Sequence, residues 1–284
     1  MIVVKIFGGL GNQLFQYAVG RAVAIHHQVP LKLDLTAYET SKIHNGYRLD
    51  QFNIEADIAT PAEISSLKGA NNLFCRALRK AGLVKNKTYY AEKQRTIYDL
   101  SVFSESERYL YGYWQNETYF FTIREILLKE LSPKVPLSLQ AQIHLSRIQN
   151  VNAVSIHVRR GDYLNHPEIG VLDVDYYKKA EEYIMSNVET PVFFVFSNDL
   201  DWCKQNFGFI EKPIYIEDTK SEIDDLMLMS QCQHNIVANS SFSWWAAWLN
   251  LNNQKIVLAP KKWRRDDLHN FKNLPDSWLK VDSI

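Results

Sequence analysis

The chain has 284 residues with 32 basic and 32 acidic side chains, so its formal net charge is zero and no global field draws it to nucleic acid or an anionic membrane. At 46% hydrophobic and 23% charged residues it reads as globular, and no run approaches the roughly 18 apolar residues that span a bilayer, which predicts a soluble protein. Cys75, Cys203 and Cys232 are an odd number at wide spacings, which suits isolated buried thiols in a reducing compartment and neither a disulfide framework nor a zinc site.

The opening Met1-Ile2-Val3-Val4-Lys5-Ile6-Phe7 is too short and too early for a secretory signal and reads as a first strand. Gly8-Gly9-Leu10-Gly11-Asn12-Gln13 follows, then Leu14, Phe15, Ala18, Val19, Ala22 and Val23 at helical spacing, which makes a strand, glycine loop and helix. Leu31 to Leu35 predicts a second strand and Arg108 to Trp114 a later one, before a helix carrying Tyr119, Phe120, Ile123, Ile126 and Leu127. Residues 40 to 105 are polar and weakly periodic, with Asn71-Asn72 and the basic Arg76, Arg79, Lys80 and Lys85. Ser132-Pro133-Lys134-Val135-Pro136 is the best boundary, because two close prolines stop a helix and stiffen a connection. Beyond it, strands are expected at Ala153–Val158, Val192–Phe196, Ile214–Ile216, Ile236–Ala238 and Ile256–Ala259. Helices are expected near Tyr176–Met185, Leu200–Phe207, Ser221–Cys232 and Phe242–Leu251, which completes a doubly wound α/β pattern.

Ser155-Ile156-His157-Val158-Arg159-Arg160-Gly161-Asp162-Tyr163 carries the strongest chemical signal. Alternation along a strand puts Val154, Ile156 and Val158 on one face and Ser155, His157 and Arg159 on the other. Paired guanidinium groups at the carboxyl end of such a strand are placed for a diphosphate, since open α/β sheets bind ligands there. A surface ion-pair cluster of Arg159, Arg160 and Asp162 would look the same in sequence. In Ala238-Asn239-Ser240-Ser241-Phe242, hydroxyls and free N–H groups meet at a helix start, which offers an anion site or plain capping by Asn239 or Ser240. Trp244, Trp245 and Trp248 read as core before a sugar-stacking platform. The glycine loop departs from the dinucleotide fingerprint, yet Gly9 and Gly11 permit close backbone approach, and Asn12 and Gln13 can donate to a phosphate or sugar. Asp173-Val174-Asp175 matches a metal-holding Asp-x-Asp pattern, but its place before Tyr176-Tyr177 predicts a helix cap.

The glycine loop through Tyr17, the His157–Tyr163 segment and the Asn239–Leu249 segment, in this order and separation, resemble the α1,2-fucosyltransferase family across nearly the whole chain. The resemblance implies a GT-B architecture of two Rossmann-like domains facing a cleft. Residues 1–135 would form the acceptor side and 136–284 the GDP-fucose side, with the last segment packing back on the amino-terminal domain. It implies inverting, metal-independent transfer of L-fucose from GDP-fucose to the 2-hydroxyl of a terminal galactoside, with no cofactor beyond the donor substrate. Arg159 would bind the β-phosphate with Arg160 in support. His157 and Asp225 would contact guanine, Ser240, Ser241 and Phe242 would line the diphosphate, and Asn12 would reach across the cleft. Asp162 joins the donor set. Relatives often carry Ser-Asp-Asp where this chain has Ser197-Asn198-Asp199, which leaves Asp199 as a ribose or base contact or as a helix cap. His166 and Glu168, by position after the arginine motif, are the candidates for taking the acceptor proton. Transfer to another linkage or to a protein hydroxyl, and a non-catalytic GDP-sugar or carbohydrate-binding protein, are the rival readings. A cytoplasmic enzyme of bacterial type, free or at the inner face of the membrane and building surface glycans, is the expected setting.

Overall fold

The computed structural model describes residues 1–40, 45–69, 88–266 and 272–283. Asn71-Asn72, the basic residues Arg76, Arg79, Lys80 and Lys85, and Cys75 lie outside the described residues, so their expectations have no structural counterpart. The chain gathers into two compact units, Met1–Lys134 and Val135–Ile284.

The first unit starts with β1 (Ile2–Lys5), α1 (Leu10–His27) and β2 (Leu31–Asp34), followed by α2 (Thr36–Thr40), β3 (Asp57–Ile58) and α3 (Pro61–Lys68). It continues with β4 (Tyr89–Ala91), β5 (Arg108–Tyr111) and α4 (Arg124–Glu130). The five strands run parallel in the order β3-β2-β1-β5-β4. Ile2, Val3 and Val4 are fully buried, as a strand covered on both faces requires. The predicted single helix over Tyr119 to Leu127 is broken: 3-10 turns at Glu117–Tyr119 and Phe121–Ile123 precede α4. The Asn116 side chain accepts from Thr118 N at 2.9 Å, and such a local turn competes with helix nucleation.

In the second unit, α5 (Leu139–Gln149) leads into β6 (Asn152–Val158), α6 (Val174–Asn187), β7 (Pro191–Ser197), α7 (Leu200–Asn206) and β8 (Ile214–Tyr215). Then come α8 (Glu222–Gln231), β9 (His234–Ile236), α9 (Ser241–Leu249), β10 (Val257–Pro260) and β11 (Leu279–Val281). Six parallel strands lie in the order β11-β10-β9-β6-β7-β8, with the last segment forming the edge strand β11. The unpredicted α5 has a weak apolar pattern and is started by Ser138, whose hydroxyl accepts from Ala141 N. Val154, Ile156 and Val158 pack with Tyr176, Tyr177, Ala180 and Ile184 of α6 in one core. On the other face Ser155 accepts from Asn235 at 2.8 Å and the His157 ring sits 5.6 Å from Phe242, as alternation predicts. Trp244 and Trp245 are fully buried and Trp248 is 4% exposed, so the tryptophans of α9 are core.

Both sheets are doubly wound, and the winding direction fixes where a ligand crevice opens. From β1 the chain steps outward to β2 and β3, then returns through the edge strand β4 to β5 on the other side of β1. From β6 it steps to β7 and β8, then returns to β9 on the other side of β6. The switch points therefore lie between β1 and β5 and between β6 and β9, and side chains at the carboxyl ends of those strands border a crevice.

Candidate active site

The loops after β6, β9, β7 and β10 meet at the carboxyl edge of the second sheet. Arg159 and Arg160 directly follow β6, and Asn239 and Ser240 follow β9 across the switch point. Each arginine is oriented by a carboxylate. Arg159 Nη2 lies 2.8–2.9 Å from the Asp162 carboxylate, with its guanidinium 5.4 Å from the Tyr163 ring. Arg160 Nε donates to Asp199 Oδ2 at 3.2 Å, and its guanidinium lies 4.1 Å over Trp202. Tyr163 OH reaches Asn239 O at 3.4 Å, which joins the two sides of the switch point.

Gly161 makes this turn possible. Its φ is +22°, and a Cβ there would overlap the Asn198 carboxamide, whose Oδ1 accepts from Arg160 N at 3.0 Å. Asp199 uses both oxygens within the protein, one on Arg160 and one capping α7 through Trp202 N at 3.2 Å. The cap that the sequence offered as an alternative is thus present. Asn198 acts as a loop staple.

Buried polar atoms of this edge without a hydrogen-bond partner include His157 Nδ1, Arg159 Nε and Asn239 Oδ1. Burial, and then the Arg159 charge, hold His157 down to about 3, so the ring is neutral at ordinary pH. Asn239 Nδ2 donates to Gly170 O at 3.0 Å and to Trp263 O at 3.3 Å, which ties the loops after β6 and β10 together. Two carbonyl acceptors on one nitrogen fix the orientation of the carboxamide and leave Oδ1 as the orphan. A buried acceptor or donor left unmade costs about 1–3 kcal/mol, so these groups suit a bound polar ligand.

Ser240 caps α9, accepting from Phe242 N at 3.4 Å, and Ser241 and Phe242 are half-buried in its first turn. The helix start offers N–H groups to an anion as the sequence proposed, while Ser240 also does the capping. Asp225, on α8, is largely buried; desolvation pushes its carboxyl up to about 6 against the Thr219 hydroxyl donated to it at 2.7 Å. Its neighbour Asp224 is 4% exposed and accepts from Ser138 N and Lys220 N, so it is structural. His166 and Glu168 are exposed and face one another, Nδ1 to Oε1 at 3.2 Å. Asp173 accepts from Tyr176 N at 3.0 Å as the cap of α6, and the exposed Asp175 lies 3.9 Å from Lys178. No group of three or more His, Cys, Asp or Glu suited to a metal occurs among the described residues.

In the first unit the glycine loop leaves the carboxyl end of β1. Gly8 has φ +80°, Gly9 precedes α1 without a side-chain cap, and Gly11 is buried in its first turn. Asn12 Oδ1 accepts from Gln115 Nε2 at 2.8 Å, a bond that spans the β1–β5 switch point. Gln13 is fully buried, donating to Gly8 O and Gly46 O and accepting from Arg48 N, so it braces the loop and presents nothing outward.

Sequence reasoning passed over two groups. Tyr163, inside the quoted motif, supplies the bridge to Asn239. Arg264, held by Asp266 at 2.8 and 3.0 Å and favoured by the Glu168 carboxylate, adds a third guanidinium to this edge. The basic run Lys261-Lys262-Trp263-Arg264-Arg265 directly after a buried strand was its available signal.

Residues 83–281 match Glycosyl transferase family 11. The chain is 34% identical over 293 residues to an Escherichia coli α-1,2-colitosyltransferase, covering 99% of each protein. It is 32% identical over 154 residues to human galactoside α-(1,2)-fucosyltransferase 1, covering 49% of this chain and 42% of that one. Among solved structures it resembles Arabidopsis thaliana FUT1 in complex with GDP, with a TM-score of 0.53 at 13% identity over 92% of this chain and 71% of that one. That likeness bears on fold alone, and two parallel doubly wound sheets agree with the GT-B type. No described helix is long and apolar enough to cross a membrane. With an arginine pair set at a switch point and relatives matching from end to end, the chain belongs to glycosyl transferase family 11 and is a glycosyltransferase.

Proposed function

We propose that this protein transfers L-fucose from GDP-fucose to the 2-hydroxyl of a terminal galactoside, with inversion at the anomeric carbon and without a metal. The observation that carries the reading is Arg159, beside the β6–β9 switch point with a buried, unpartnered Nε and a Ser-Ser helix start opposite. In the reaction the bond from fucose C1 to the β-phosphate oxygen breaks, and its electron pair stays on GDP. The acceptor oxygen closes on the opposite face of C1, and its proton passes to a base or to water. Negative charge grows on the phosphate, where Arg159 stabilises it, with Arg160 in support and the α9 start, Ser240, Ser241 and Phe242, along the diphosphate. These groups fill the role a divalent ion fills elsewhere, and Asp173 and Asp175 have other duties.

His157 and Asp225 are assigned to guanine, Asp199 to the ribose side, and Asp162 to holding Arg159. Gly9, Gly11 and Asn12 are assigned to GDP-fucose. His166, whose Nδ1 faces Glu168, keeps Nε2 for the acceptor proton, and the carboxylate stabilises the imidazolium that forms. A cytoplasmic site of action on surface glycans is part of the same proposal.

Mass-detected transfer from GDP-fucose to lactose, with the anomeric configuration and linkage of the product read by NMR, tests the reading. Absence of product, or a linkage other than α1,2, overturns it. The relative named as a colitosyltransferase supports one second reading, transfer of the 3-deoxy analogue of fucose from GDP-colitose, and running both donors in the same assay separates the two.

A further inference from the structure

The first unit contains a cavity of about 230 Å³ at the carboxyl edge of β4 and β5, walled by Tyr90, Tyr98, Trp114 and Tyr119 with Glu92 and Gln94. It lies beside the β1–β5 switch point, since Gln115, which bonds Asn12, directly follows Trp114. Drug-sized clefts run from roughly 300 to 1,000 Å³, so this one suits a single sugar ring.

Three observations mark it as built for a ligand. The first is strain: Trp114 and Thr96 have φ of +59° and +69°, in the left-handed region that β-branched and bulky residues avoid. Such strain persists where surrounding groups over-determine it, and it gathers at binding sites. The second is the agent that holds it. One carboxylate, Glu92, accepts from Tyr113 N at 2.7 Å, from Trp114 N at 3.1 Å and from the Thr96 backbone. Burial raises the Glu92 carboxyl above its usual range even so. The third is an orphan donor. Trp114 is fully buried, yet its Nε1 has no partner, in a side chain that lines the cavity.

The walls have the chemistry of a carbohydrate site. Tyr90 stacks on Trp114 at 6.1 Å and 24°, Tyr119 meets Trp114 edge-on at 5.5 Å, and Tyr98 lies 5.0 Å from Tyr119 while remaining 36% exposed. At the rim Lys93 and Asp99 pair at 2.7 Å, a polar couple placed for ring hydroxyls. An axial 4-hydroxyl leaves one face of galactopyranose as a continuous patch of C–H groups, which fits an aromatic wall, while its hydroxyls need the donors that the rim and Trp114 supply.

We propose that this cavity binds the terminal galactose of the acceptor glycan, with Tyr98 stacking on its apolar face and Trp114 Nε1 donating to a hydroxyl. The assignment rests on the galactoside transfer proposed above. Glu92 acts as a positioning residue, holding the indole through the Trp114 backbone.

The test uses the full chain, lactose as the probe, and Tyr98→Ala, whose exposed side chain is dispensable for the core. Saturation-transfer NMR with lactose should show enhancement on the galactose ring in wild type and lose most of it in Tyr98→Ala. In the transfer assay Tyr98→Ala should raise the lactose KM about tenfold, the scale of losing one aromatic contact. Its dissociation constant for GDP should stay at the wild-type value, and Tyr183→Ala, an exposed ring on α6, should change none of these quantities. A wild-type lactose KM in folded Tyr98→Ala, or undiminished NMR enhancement, overturns the proposal. If the wild type transfers nothing from GDP-fucose, the functional reading fails, and the NMR experiment still decides whether the cavity holds galactose.

Discussion

Asp225→Asn tests two things at once, because stability reads the cost of burying the carboxylate and GDP affinity reads its assignment to guanine. Desolvation lifts the Asp225 carboxyl from 3.8 to about 6, with Asp224 and Glu222 adding to the rise and Thr219 opposing it. An acid whose folded value is raised prefers its protonated form in the native state. The native chain therefore binds more protons than the unfolded one between pH 3.8 and about 6, and stability falls as pH rises through that window. A shift of about two units corresponds to about 3 kcal/mol of cost, fully present at neutral pH. Asparagine removes the charge and keeps an oxygen for the Thr219 hydroxyl at 2.7 Å. The variant should thus be more stable than wild type at pH 7.5 by about 2–3 kcal/mol, and equal to it near pH 4. If Asp225 reads the N1–H and amino edge of guanine, the same change should weaken GDP binding by roughly 2 kcal/mol, since an acceptor becomes a donor. Denaturant melts across pH 4–8 and calorimetry with GDP read the two quantities. An Asp225→Asn protein no more stable than wild type at neutral pH refutes the electrostatic reasoning. A stabilised variant with unchanged GDP affinity refutes the guanine assignment alone.

Arg159→Ala should stay folded, because its Asp162 partner is 40% exposed, and should lose transfer by on the order of a hundredfold or more; wild-type turnover by the folded variant removes Arg159 from the phosphate. Gly161→Ala drives a Cβ into the Asn198 carboxamide that accepts from Arg160 N, so kcat should fall with only a small change in Tm; unchanged kcat would mean that the turn does not set the arginine geometry. Transfer should persist in excess chelator, because guanidinium groups and a helix start carry the phosphate charge; loss of activity restored by manganese or magnesium would assign Asp173 and Asp175 to a metal.

The order of alternating strands and helices was readable because burial imposes short-range periods. Val154, Ile156 and Val158 had to face one core and Ser155 and His157 the other whatever the packing outside. Asp173 as a cap, and Trp244, Trp245 and Trp248 as core, were legible for the same local reason. The Arg159 motif could be placed at a strand end from its own residues. Its neighbours could not, because the order of strands in a sheet leaves no trace in any one segment. Tertiary structure alone set β9 and β7 on either side of β6 and β10 beyond β9, which brings Tyr163 to Asn239, hands Arg160 to Asp199, and ties Gly170 to Trp263 through one carboxamide. Glu92 shows the limit most clearly. In sequence it is one acid in a weakly patterned stretch, and only the folded chain turns it onto the backbone of Trp114, 22 residues away, and holds there a conformation that local preference opposes.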